Sequence, residues 1–282
     1  MIDASIRLRR AILLGDSVLV ERIIKCNPRL LQNPDFHNQS NTSLHLAAGH
    51  GKALIASFLI DAGHEKSEVS RNASHETPLM LAARNGHVEV GRLLIHRFPR
   101  CVTMTNEAGL DALSIASQAP ASTGLIPFLL SEPDYPASPH TQDQDGNTPL
   151  HHASASGSLK TLRILLSVGA NPLAKNNYDW TPLAYSQTVA AEVYFKNLVA
   201  EFERRKIEEA KMSEERNRLK NGGVRLVDDE SKLDESEDDE VIGDALRRHW
   251  SPLERKLPAA PLPRHEWGTP VQHSRTRSGS GD

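Results

Sequence analysis

Histidine and cysteine are the side chains of this sequence that would most readily supply acid–base, nucleophilic or metal chemistry. The 282 residues include 13 histidines but only two cysteines, Cys26 and Cys101. The spacing forms neither a His-Glu-x-x-His nor a Cys-x-x-Cys zinc motif, and no Gly-x-Gly-x-x-Gly loop opens a helix. The sequence therefore predicts no catalytic residue, no metal site and no cofactor. We expect a protein that is not an enzyme.

Two of the histidines occupy matching positions that have a structural explanation. His45 lies three residues after Thr42, and His151 lies three residues after Thr148. Threonine is a strong helix N-cap residue, and the proline that follows Thr148 suits a first helical turn. We therefore interpret both imidazoles as structural groups that hydrogen-bond across a turn between helical units.

These threonines belong to a repeat that runs through the first two thirds of the chain. A leucine recurs at intervals of 33 to 37 residues, followed by alanine three positions later in five cases and glycine seven positions later in four. A large apolar residue stands fifteen positions after each leucine, including Phe128 and Leu198. Such a period indicates stacked helical units. The leucines are Leu8, Leu44, Leu79, Leu113, Leu150 and Leu183.

Each recurring residue has a physical role in a helix–turn–helix unit. Threonine caps the first helix, the small alanine lets helices approach closely, and glycine ends the helix in a left-handed conformation. The pattern resembles the ankyrin repeat, whose period is about 33 residues. It predicts an all-α, ankyrin-repeat solenoid of about six helix-turn-helix units with a C-terminal extended helix and a disordered tail.

The predicted domain division follows this register and a change in charge density. From residue 201 to residue 282, 35 of 82 residues are charged. We expect a charged helical extension over 201–221, then a disordered tail over 222–282 that is first acidic and then contains Pro, Ser and Arg. The repeat array is expected over 1–200, with units near 5–36, 37–71, 72–105, 106–142, 143–175 and 176–200.

The first and fourth units depart from the regular pattern. The first lacks the Thr-Pro start and is rich in arginine, so we expect a capping unit whose outer face is polar and solvated. The fourth carries Pro120 and Pro127 within its expected helices. Residues 131–139 include three prolines and are expected to form a projecting loop. That loop is either a tolerated irregularity or a partner contact.

The last unit is expected to continue as one long helix. The pattern predicts this helix from Glu192 to about Lys220, before Gly222 and Gly223. Tyr194, Leu198 and Phe202 then form an i, i+4 stripe that covers the final unit. Beyond this stripe, the helix is either a solvated extension or a partner-binding coiled coil.

Successive units are joined by β-like turns, which we call fingers. A solenoid of this kind presents an extended concave surface made by the finger tips and the first helices. We expect protein partners to bind there. Trp180 is either an interface anchor or a side chain that packs on the fifth finger. The candidate partner-binding residues are His37, Asn38, His50, Ser74, His75, Arg84, Asn85, Glu107, Asp143, Asp145, Tyr178, Asp179 and Trp180.

The tail combines an acidic block with short phosphorylation patterns. Nine acidic residues and one lysine lie between Asp228 and Glu240. A patch around Trp250 is either a docking segment or part of an uninformative tail. The candidate phosphorylation sites precede acidic residues (Ser231, Ser236), precede proline (Ser251, Thr269) or follow arginine (Ser278).

Overall composition narrows the class of protein. The net charge is only −3, no apolar run reaches membrane-helix length, and the first ten residues lack a signal-peptide stretch. We therefore expect a cytoplasmic protein with protein partners, no nucleic-acid partner and no direct membrane insertion.

Several segments depart from the general repeat pattern. They are Arg7–Ile12, Asn27–Asn33, Leu59–Lys66, Phe98–Arg100 and Trp180. In these segments the chain resembles the ankyrin-repeat accessory subunits of the fungal target of rapamycin complex 2, and the resemblance covers roughly residues 5–200.

The resemblance implies a non-catalytic subunit held by large scaffold subunits, peripheral at the plasma membrane through its complex. It also implies roles in growth signalling, sphingolipid homeostasis and actin organisation. The alternative is another soluble ankyrin adaptor, or an inhibitor of a kinase or transcription factor.

Overall fold

The computed structural model describes residues 3–66 and 68–221. Within them the chain forms helices, turns and two isolated β-bridges, but no strand, which confirms the all-α prediction for this part. The α-helices are α1 (Ala4–Leu14), α2 (Ser17–Cys26), α3 (Ser43–Gly49), α4 (Ala53–Asp61), α5 (Pro78–Asn85), α6 (Val88–Arg97), α7 (Ala112–Gln118), α8 (Ile126–Ser131), α9 (Pro149–Ala155), α10 (Leu159–Ser167) and α11 (Val189–Asn221). Short 3₁₀ turns lie at Pro28–Leu30, Pro99–Val102, Pro120–Ser122 and Pro182–Tyr185.

The third unit shows how the recurring residues set helix ends. The Thr77 side chain accepts a hydrogen bond from the N–H of Met80, and Pro78 occupies the first turn of α5. Gly86 ends α5 at φ 77°, a conformation that glycine adopts without the Cβ penalty. The predicted roles of threonine, proline and glycine are confirmed here.

The helices stack in two layers. The first helices of successive units pack side by side from α1 to α9, and the second helices pack from α2 through α10 to α11. The register leucines Leu8, Leu44, Leu79, Leu113 and Leu150 lie between them, and each is at most 1% exposed. Complete burial of each such side chain contributes about 1.5–3 kcal/mol, so the leucine row is a main source of cohesion.

The fourth unit is distorted, as its prolines predict, but its loop differs from the prediction. The 3₁₀ turn Pro120–Ser122 precedes a second helix of six residues, and Phe128 is 38% exposed while Leu129 is buried. In this unit the residue next to the register position is therefore the buried one. The loop over 131–139 is anchored rather than freely projecting, because Ala137 is buried and donates its N–H to Leu129 O at 2.9 Å.

The last unit replaces its first helix with the 3₁₀ turn Pro182–Tyr185 and continues as the 33-residue helix α11. This confirms the long helix, which begins three residues before the predicted start. Its fully buried residues are Phe195, Leu198 and Val199, and the other two members of the predicted stripe, Tyr194 and Phe202, are half-buried. Residues 204–217 are exposed, which favours the solvated alternative for this stretch.

The predictions for the tail lie outside the described residues. They comprise the disordered segment 222–282, the patch around Trp250 and the candidate phosphorylation sites Ser231, Ser236, Ser251, Thr269 and Ser278.

Candidate protein-interaction surface

Most of the sequence-predicted contact residues lie at the surface. Ser74, Asp143 and Trp180 are half-buried. The others are exposed: His37, Asn38, His50, His75, Arg84, Asn85, Glu107, Asp145, Tyr178 and Asp179. Exposure alone does not make a side chain available, because several of these groups are hydrogen-bonded within the array.

Each of four successive fingers is held by one side-chain oxygen that accepts two backbone N–H groups. Asn72 Oδ1 accepts from Ser74 at 3.0 Å and from Glu76 at 2.9 Å. Asn106, Asp143 and Asn176 make the equivalent bonds in the next three fingers. We did not single out the three asparagines from the sequence, although asparagine in a turn-rich segment is typical of this motif.

Backbone hydrogen bonds join neighbouring fingers into one row. In each, the N–H of a tip residue donates to a carbonyl of the preceding finger. The bonds run from Ala73 to Gln39 (2.7 Å), Glu107 to Ser74 (3.1 Å), Gln144 to Ala108 (3.1 Å) and Asn177 to Asp145 (3.0 Å). The tips are therefore ordered before a partner arrives, which lowers the entropy cost of binding.

The two matching histidines are structural, as predicted. His151 Nδ1 accepts the N–H of Thr148 at 3.1 Å. Its Nε2 lies 3.0 Å from Trp180 O, and because a carbonyl only accepts, Nε2 carries the proton. Burial lowers the pKa of His151 to about 4, which keeps the ring neutral. His45 makes the equivalent bonds in the second unit, and burial lowers its pKa as well.

Two predicted contact residues of the third unit already have partners. The guanidinium of Arg84 forms an ion pair with the buried Glu76 carboxylate. Asn85 Nδ2 donates to Gly49 O at 2.8 Å and links two units. His50 makes no side-chain hydrogen bond within residues 3–66 and 68–221, so it is the more available residue on this face.

Asp143 also has a structural role. Its carboxylate accepts from the N–H of Asn147 at 2.7 Å and lies 3.0 Å from His152 Nε2. Burial alone would raise the pKa of Asp143, but the hydrogen bonds from His152 and Asn147 outweigh it and hold the pKa below its usual value. The ionised carboxylate of Asp143 therefore holds the fifth finger in shape.

Trp180 combines the two alternatives left open by the sequence. Its ring is half-buried and meets Tyr185 edge-on, with centroids 5.7 Å apart. Tyr185 in turn meets His151 at 5.6 Å. The ring packs against its neighbours while part of its surface stays accessible, and Tyr178 beside it is 57% exposed.

The arrangement closest to a catalytic cluster is a buried pair that sequence reasoning missed. His64 Nδ1 lies 2.9 Å from Glu65 Oε1, and Ser70 Oγ donates to the same oxygen at 2.5 Å. Serine and histidine both bond the carboxylate, so the histidine is not placed to activate the hydroxyl. Within residues 3–66 and 68–221, no group of three or more His, Cys, Asp or Glu is placed to hold a metal ion.

A groove of about 1080 Å³ opens between loops of the first four units. Its lining includes Arg71, Arg97 and Arg100, but also Glu68 and Asp134. These opposite charges give the groove no clear preference for a cationic or an anionic ligand. None of the helices in the described part is long and apolar enough to cross a membrane.

Helix pairs stacked in two layers, with hydrogen-bonded fingers along one edge, agree with the sequence register. A family model described as ankyrin repeats (3 copies) matches residues 8–106 and 113–198. The chain belongs to the ankyrin-repeat family.

Comparison with individual ankyrin proteins gives a more specific similarity. The chain is 34% identical over 200 residues to the target of rapamycin complex 2 subunit AVO2 of Saccharomyces cerevisiae, covering 70% of this chain and 46% of the relative. It is 27% identical over 190 residues to human ankyrin repeat and IBR domain-containing protein 1, covering 64% of this chain and 16% of the relative. The chain therefore spans less than half the length of either relative.

A solved structure supports the ankyrin fold. The ankyrin repeat domain of Bcl-3 superimposes with a TM-score of 0.52 at 20% identity, covering 67% of this chain and 97% of that domain. At this identity the likeness concerns the fold alone.

The first ankyrin unit exposes apolar side chains that we did not single out from the sequence. They are Ile6, Leu13, Leu14 and Val18. The repeat register could have found two of them. Leu13 and Leu14 occupy the positions that Gly49 and His50 occupy in the second unit, where we predicted contacts.

Proposed function

We propose that this ankyrin protein is a non-catalytic, protein-binding subunit of target of rapamycin complex 2, held by its large scaffold subunits. The observation that carries the proposal is the 34% identity to the yeast subunit over 200 residues, a length close to that of the whole array and far longer than one repeat. In that complex the protein helps regulate growth signalling, sphingolipid homeostasis and actin organisation. It is cytoplasmic and reaches the plasma membrane only through its partners.

The row of fingers is the proposed contact for the scaffold. Its tips are exposed and spaced by backbone hydrogen bonds, so a partner meets an ordered surface. Tyr178 supplies an accessible aromatic ring at one end of this row, and His50 supplies an imidazole with no side-chain bond in the described array. Arg84, Asn85 and Asp143 contribute mainly by holding the surface in shape.

Affinity purification of the tagged full chain from the cells that encode it tests this proposal. We expect mass spectrometry to identify the target of rapamycin kinase and its large scaffold subunits. A second form ending at Asn221, where α11 ends, is expected to retain them if the repeats make the contact. Recovery of neither the kinase nor the scaffold, from an extract shown to contain the intact complex, would contradict the proposal and leave a different ankyrin adaptor.

A further inference from the structure

An exposed apolar patch lies at the turns between the paired helices of the first two units. Leu14, Val18 and Leu54 are 81%, 74% and 79% exposed. The two turns are in contact, because Lys52 Nζ lies 3.1 Å from the position that a Cβ would take on Gly15. We call the surface formed by Leu14, Val18 and Leu54 the N-terminal patch.

Basic side chains accompany each apolar residue of the N-terminal patch. Arg10 lies one helical turn before Leu14 on α1, Arg22 lies one turn after Val18 on α2, and Lys52 directly precedes the helix that carries Leu54. None of the three cations has an ion pair or side-chain hydrogen bond within residues 3–66 and 68–221.

Asp16 lies in the turn between α1 and α2, but within residues 3–66 and 68–221 it forms no ion pair with any of the three cations. Asp16 caps α2 by accepting the N–H of Leu19 at 2.9 Å. The N-terminal patch therefore combines apolar surface with unpaired positive charge.

The ankyrin fold does not require apolar residues at these positions. Asn85 and Ser156 occupy the register position of Leu14 in the third and fifth units, and Glu89 and Lys160 occupy that of Val18 and Leu54. Polar residues therefore satisfy the same turns elsewhere in the array. Grouped apolar side chains left in water where polar ones suffice mark an interaction site.

We propose that the N-terminal patch docks an acidic amphipathic segment of a partner protein. Apolar side chains of that segment cover Leu14, Val18 and Leu54, while its carboxylates pair with Arg10, Arg22 and Lys52. The inference deepens the proposed function by adding a second contact and the chemistry of its partner. It requires a protein partner, but not that this partner belongs to target of rapamycin complex 2.

Photo-crosslinking from the patch identifies the bound segment directly. A benzophenone amino acid replaces Leu14 in the full chain, and after illumination in cells the crosslinked peptide is sequenced by mass spectrometry. We expect a peptide that contains both acidic and apolar residues from a different protein. Absence of any crosslink overturns the proposal, as does a crosslink to a basic segment, to lipid or to a second copy of this chain.

A matched pair of variants measures the contribution of the patch. Affinity purification compares recovery of the partner that crosslinking identified, and the double variant Leu14→Gln, Leu54→Gln is expected to recover about tenfold less of it, or lower still, than the wild-type chain. Burial of even one of the two leucines in the contact accounts for about tenfold in affinity. Val168→Gln removes an exposed apolar side chain from the fifth unit and should leave recovery unchanged. Both variants should keep the wild-type unfolding midpoint, because their side chains are exposed. Unchanged recovery with the double variant overturns the proposal.

Charge and complex membership are tested separately. Arg10→Glu, Lys52→Glu should lower recovery of the same partner by a similar factor, and an undiminished recovery contradicts the acidic chemistry. If the acidic segment belongs to a protein outside target of rapamycin complex 2 and the complex itself is not recovered, the proposed function fails while the N-terminal patch stands. If the complex is recovered equally well with the wild-type chain and the patch variants, the proposed function stands and the N-terminal patch is not the contact.

Discussion

Acidification should destabilise the array through His151. Its pKa is lowered by burial to about 4, against 6.5 for an unperturbed imidazole. The unfolded chain therefore takes up a proton before the folded chain does, so the free energy of unfolding falls as the pH falls from about 6.5 toward about 4. Between about pH 7 and about pH 5, proton linkage gives a loss of about 2 kcal/mol from this side chain. Once the pH lies below the folded-state pKa, His151 adds no further loss.

The variant His151→Gln isolates this contribution. Glutamine at the third helical position can accept the N–H of Thr148, as in a capping box, but it does not titrate. Urea unfolding at the two pH values gives the free energy of unfolding for both proteins, and His45 titrates equally in both. We expect the wild type to lose about 2 kcal/mol more than the variant on acidification. Equal losses would refute the conclusion that His151 is a buried neutral imidazole.

Three further outcomes follow from burial and backbone geometry. Phe195→Ala should lower the free energy of unfolding in urea by about 3–5 kcal/mol, because it empties the contact between α11 and the array, and a loss below about 1 kcal/mol would contradict that packing. Gly86→Ala should destabilise more than Gly169→Ala, since both have a positive φ but only at Gly86 would the new Cβ lie 2.7 Å from another side chain; equal unfolding midpoints would contradict this. Iodoacetamide should label the exposed Cys26 quickly and the native Cys101 slowly, because Cys101 is buried and burial raises the pKa of its thiol; equal rates would contradict this.

The internal units were predictable because their defining residues act over a few positions of the chain. Thr77 needs only the N–H three residues later, and Gly86 needs only the helix that it ends. His151 bonds both its own N-cap and the next finger, so its register position already implies a structural role. The sequence pattern therefore contained the geometry of these turns.

The last helix shows where one-dimensional patterns fail. Tyr194, Leu198 and Phe202 form an apolar stripe in the sequence, but the structure fully buries Phe195, Leu198 and Val199 and leaves Tyr194 and Phe202 half-buried. The i, i+4 spacing within one helix leaves its rotation about the axis open when adjacent stripes are both apolar. That choice depends on packing against α10, a contact between residues distant in sequence.

The fourth unit fails for a related reason. The register gives each unit a large apolar residue fifteen positions after its leucine, and in this unit that residue is Phe128. The 3₁₀ turn Pro120–Ser122 and the short helix that follows bury Leu129 instead, while the ring of Phe128 lies 4.5 Å from the guanidinium carbon of Arg92. A fixed repeat period in the sequence does not predict that the second helix of one unit is shorter than in the others.

The candidate surface divides according to how its side chains are already used. Arg84, Asn85 and Asp143 have their polar groups paired within the array, so a partner that covers them must break or share existing bonds. Covering Leu14 and Leu54 breaks no hydrogen bond or ion pair. Removing their apolar surface from water is favourable, at about 25 cal/mol per Å². In the proposed interaction, the fingers fix the orientation of a partner and the N-terminal patch adds apolar contact.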